Sequence, residues 1–140
     1  MKPNLLARIF IIPVLAWNVQ CALAFLIQPA TYAPGFELSG VAGTAAVRGM
    51  GILFLMWNIP YAVALSDPLR RRVSLHESAA MQAVALVGET LLLLSLPDGF
   101  PVLRASILRF IWFDAAGLLL LLAAVALVRS RPAAASLSQA

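Results

Sequence analysis

Four apolar stretches, each long enough to cross a bilayer and separated by short punctuated turns, leave this chain few folds to choose from. Hydrocarbon thickness calls for roughly 20 apolar residues per helical crossing. The stretches run from about Ile9 to Gln28, Val41 to Leu65, Glu77 to Leu96 and Leu103 to Val128. Soluble domains are about a quarter charged. Here the charged share is 11% against 62% hydrophobic, so lipid must solvate much of the surface. The expectation is an all-α, integral membrane, antiparallel four-helix bundle. Residues 1–128 form one domain, and residues 129–140 read as a disordered cytoplasmic tail rich in Ala and Ser.

Breaker residues mark the turns. Pro29, Pro34 and Gly35 end the first span, and Pro97, Asp98, Gly99 and Pro101 separate the third from the fourth. Pro13 falls in the first turns of its span, where a missing donor is tolerated. Trp57 and Tyr61 suit an aromatic interface belt. The spacing of Ser74 and Glu77 predicts a capping box at the start of the third span. Trp17-Asn18 and Trp57-Asn58 form a short repeat, drawn from a narrow alphabet, on spans of opposite direction.

Lys2, Arg8, Arg70, Arg71, Arg72, Arg129 and Arg131 all fall on one side of a four-span layout, against Arg104 on the other. Positive charge is retained on the cytoplasmic side, so both termini are expected there. The basic excess, which in a soluble chain would suggest nucleic acid, here marks topology and contact with anionic lipid. Met1–Ala24 also has the outline of a signal peptide with an A-x-A ending. Its apolar run continues through Phe25-Leu26-Ile27, and Asn18 and Gln20 interrupt the core, which favours a retained span.

Four ionisable residues lie within the spans: Arg48, Glu89, Arg109 and Asp114. Each costs on the order of 2.5–3.5 kcal/mol at the helix centre and is a functional candidate by default. Helical spacing places Arg48, Gly51, Leu55, Asn58 and Ala62 on one stripe, and Ser78, Gln82, Ala85 and Glu89 on another. Small and polar residues on such stripes predict faces turned toward other helices. Arg109 and Asp114 stand about 140° apart around their helix and cannot share a narrow face. By axial rise, Arg48, Glu89 and Arg109 reach one level in the outer half, whereas Asp114 and Asn18 lie nearer the midplane.

Two readings follow. Arg48–Glu89 and Arg109–Asp114, or the crossed pairs, are buried ion pairs that fix helix register. Alternatively Glu89 or Asp114 lines a small cavity and binds a proton or polar group, with Asn18, Asn58 and Gln82 as orienting partners. No span contains a histidine, Cys21 is the single cysteine, and neither a G-x-S-x-G nor a phosphate-binding loop is present. These residues therefore point to no catalytic group, metal or cofactor, although the carboxylates could serve acid–base work.

The size, the four spans and Arg48-Gly49-Met50-Gly51 at the opening of a span resemble small bacterial four-helix membrane proteins of the DoxX-like kind. That resemblance implies an inner-membrane protein with an accessory role beside a membrane enzyme. The leading expectation is a non-enzymatic accessory or assembly protein, partnered by the bilayer and by a larger complex or further copies of itself. The alternative is a small transporter or ligand-binding protein using Glu89 and Asp114 as protonatable groups; an intramembrane enzyme ranks last.

Overall fold

The structure, a computed structural model, describes residues 3–130. The tail that reads as disordered lies almost wholly outside the described residues. Helix α1 spans Pro3–Ile27, and a short α2 (Pro29–Tyr32) leads into a 3-10 turn at Ala33–Phe36. Then come α3 (Gly40–Trp57), α4 (Ile59–Ser66), α5 (Arg72–Ser95) and α6 (Pro101–Arg129). Four stretches are long and apolar enough to cross a membrane, with α3 and α4 together making the second. The chain is an all-α, multi-pass membrane protein.

Two local expectations are corrected. The second span is two helices, broken at Asn58, because Pro60 in the first turn of α4 has no N–H to continue the ladder. The Ser74–Glu77 capping box does not form. Helix α5 begins at Arg72, its N-cap Arg71 has no side-chain cap, and Ser74 already lies inside the helix. The helix reaches further than hydropathy suggested because basic residues at its start lie outside the apolar run.

The break sets the packing. Helix α3 leans on α1 and the connecting loop, whereas α4 packs on α5 and α1, and α6 is flanked by α1 and α5. Where α3 meets α1, a Cβ on Gly51 would lie 2.9 Å from the Ala22 carbonyl oxygen. Only a residue without a side chain allows that approach. Apolar packing divides into two layers. One gathers Ile11, Val14, Tyr61, Leu75, Leu121 and Val128; the other centres on Phe25, Ala33 and Val47.

The loop after α1 folds into α2 and the 3-10 turn before α3 begins. Glu37 adopts a left-handed φ of 55°, and its Oε1 accepts the backbone N–H groups of Val102 at 3.1 Å and Leu103 at 3.2 Å. Helix α6 has no cap from its own N-cap residue, Phe100, so Glu37, 65 positions before Val102, supplies it. Nearby, Ser106 Oγ donates to the Gly35 carbonyl at 2.6 Å. At the opposite end Arg8 donates to the Ser66 carbonyl and Asn4 to Asp67, tying α1 to the end of α4.

Two outcomes are expected in thermal unfolding of detergent-solubilised protein. Gly51→Ala should lower the midpoint, while Gly49→Ala, with open space around its Cβ, should leave it unchanged or raise it, since alanine gains about 0.5–1 kcal/mol over glycine in a helix. Glu37→Ala should cost about 1 kcal/mol, the usual loss on removing a cap, and Glu37→Gln, which keeps an acceptor, should cost less.

Candidate functional site

Between the two apolar layers lies a polar one. Tyr61 is fully buried, and its hydroxyl donates to Gln82 Oε1 at 2.6 Å. Gln82 Nε2 in turn donates to Asp114 Oδ1 at 2.6 Å. The carboxyl residues Asp114 and Glu89 line one cavity. Tyr61 of α4, Gln82 of α5 and Asp114 of α6 thus form one hydrogen-bonded chain through the bundle, with Glu89 of α5 beside it.

A neighbouring glycine makes the chain fit. A Cβ on Gly117 would lie 2.8 Å from Gln82 Nε2, so the bare backbone of α6 gives the amide room to reach Asp114. The predicted α5 stripe is seen here: Ser78 and Gln82 are buried, and Ala85 and Glu89 are half-buried.

The arginines are elsewhere. Among the described residues no ion pair joins Arg48 or Arg109 to Glu89 or Asp114; the expected register-fixing pairs do not form. Arg48 is exposed, because α3 buries Gly43, Val47 and Gly51 against its neighbours. The expected stripe through Arg48, Leu55 and Ala62 is therefore turned outward, except for Gly51 and Asn58. Arg109 is also exposed, and its Nη2 donates to Ser106 Oγ at 2.8 Å. The shared level inferred from axial rise brings neither arginine to the carboxyls, since each points off a different helix face.

A cavity of about 90 Å³ opens on the carboxyl pair. Space remains there because α3 leans away toward α1 while α5 stays against α6. Asn18 and Asn58 line it, with Gln82, Glu89 and Asp114, so five of the sequence-predicted residues meet in one place. Aromatic rings of Trp17, Phe54, Trp57, Phe110 and Phe113 form the rest of the wall, with Cys21 and Ala85. Trp17 and Phe113 stack with centroids 5.4 Å apart. Both Trp-Asn dipeptides of the short repeat contribute to the same cavity.

Two buried oxygens at this cavity lack a donor among the described residues. Glu89 Oε2 is one, and Asn58 Oδ1 is the other. Asn58 is only 5% exposed, and its amide nitrogen is committed to the Phe54 carbonyl at 2.6 Å. A second, larger groove of about 460 Å³ runs between α1, α6 and the loop. It shares Trp17, Cys21, Phe110 and Phe113 with the central cavity and has Arg109 on its wall.

Sequence reasoning missed Tyr61, which it assigned to an interface belt together with Trp57. Tyr61 lies three residues after Asn58, so it returns to the same side of the helix. That spacing was the available signal. The aromatic wall had none, since aromatics at these positions read equally as lipid-facing. Among the described residues no group of three or more His, Cys, Asp or Glu is placed to hold a metal ion.

Removing two members of the buried chain should cost less than the sum of removing each alone. Gln82→Leu leaves Asp114 and Tyr61 without their partner and should destabilise by about 1–3 kcal/mol. The double variant Gln82→Leu with Asp114→Leu should be less destabilised than the sum of the single variants, measured as a double-mutant cycle in thermal or denaturant unfolding. No family model, curated protein or solved structure matches this chain.

Proposed function

We propose that this multi-pass protein binds a small molecule from the bilayer, with Glu89 and Asp114 holding its polar end. One observation carries the reading: two intramembrane carboxyls converge on a cavity, unaccompanied by any cation, and one of their buried oxygens lacks a donor. A purely structural network would close on itself, because an unpaired buried polar group is costly. This cluster instead leaves a buried oxygen unsatisfied beside an open cavity. The setting we propose is a bacterial inner membrane with both termini cytoplasmic, as the distribution of arginine suggests. An accessory role of the kind implied by DoxX-like proteins would then be that of a ligand-holding subunit.

The test separates ligand binding from a structural network. Glu89→Met keeps similar bulk and removes the lone oxygen. If Glu89 serves a ligand, the variant should unfold at a higher temperature than the wild type in lipid nanodiscs, because functional sites trade stability for binding. In parallel, dicyclohexylcarbodiimide, an apolar reagent for protonated carboxyls, should modify Glu89 or Asp114 in the wild type, mapped by peptide mass spectrometry. A destabilised Glu89→Met protein, together with modification confined to loop carboxyls such as Asp98, would overturn the proposal.

A further inference from the structure

The chemical class of the ligand can be inferred from the charge that the cavity wall can carry. Glu89 and Asp114 both line it, and no lysine, arginine or histidine does. Three of the donors nearby are committed. Asn58 Nδ2 goes to Phe54, Gln82 Nε2 to Asp114, and the Tyr61 hydroxyl to Gln82. A complementary guest therefore brings N–H donors and positive charge. Aromatic faces around the carboxyls favour the same guest, since a cation over a ring gains cation–π attraction that grows with desolvation.

We infer that the site takes a lipophilic amine, bound as its ammonium ion, with the ammonium in the central cavity and the apolar body in the groove between α1 and α6. This rests on the ligand-binding reading given above and assigns its substrate class. Size supports the division. The central cavity, about 90 Å³, accommodates a small polar head, while the groove, about 460 Å³, falls within the range of small-molecule sites. Trp17, Phe110 and Phe113 belong to both, so one elongated guest can occupy the two together. Arg109, on the groove wall and held by Ser106, sets the orientation. Its charge repels the ammonium end and leaves it to the carboxyls.

Cys21 gives a direct readout, because the chain's single cysteine lines both spaces. Wild-type protein in phosphatidylcholine nanodiscs would be titrated with octylamine and with 1-octanol, two guests of the same length. The rate of Cys21 alkylation by N-ethylmaleimide and the thermal midpoint are read together, so a slow thiol does not obscure binding. Octylamine should protect and stabilise at concentrations at least about tenfold lower than octanol, as expected for a charge-assisted hydrogen bond. In the isosteric double variant Glu89→Gln with Asp114→Asn, that advantage should vanish while octanol behaves as before. Equal effects of the two guests on the wild type would overturn the amine assignment and leave ligand binding standing. No effect of either guest on both readouts would overturn the amine assignment and the ligand-binding reading with it.

Discussion

The architecture depends on a missing hydrogen-bond donor in the middle of the second span. Pro60 has no N–H, the helix breaks at Asn58, and the two halves take different neighbours. Helix α3 closes on α1 through Gly51, and α4 closes on α5 and α1. A continuous helix could not follow both directions. The cavity is the space left between them, and the break also turns Asn58 inward with one side of its amide unused. In lipid such a break is tolerated where the freed groups are buried in protein or line a cavity.

The polar layer shows how a membrane protein keeps charge-capable groups in its interior without cations. Tyr61 and Gln82 supply donors in sequence, and the series ends on the Asp114 carboxyl, which shares a cavity with Glu89. Apolar layers on either side fix the positions of the participating helices. Glutamine suits the middle position because its side chain both accepts and donates. An ionised side chain there would do only one of these.

Hydropathy made the four crossings legible, and helical phase correctly placed Gln82 and Glu89 on the inner face of α5. Asp114 and Asn18 meet at the cavity, but so does Glu89, which the count of axial rise had set at another level with the arginines. The arginines were misplaced because charge balance suggests partners without giving helix rotation. Rotation of α3 is decided by close contact at Gly51, and a stripe drawn through Arg48 also passes through that glycine. Tyr61 and Trp57 were misread because an aromatic near a span end fits an interface or a core equally well. The helix break was visible as Pro60, yet its consequence depended on which neighbour each half would choose.

The cap on α6 bears on how the chain is assembled. The amide groups at the start of the last span are satisfied by Glu37, on the loop that closes the first hairpin. That loop is synthesised long before α6 and carries its αL turn within a short local segment. The first two spans therefore present a ready acceptor that the last span meets on arrival. Such a long-range contact adds to the contact order of the fold, and contact order slows folding. It also means that the fourth crossing is completed only in the presence of the first hairpin. A fragment beginning after α4 would have the apolar length to insert but no acceptor from Glu37 at its leading end.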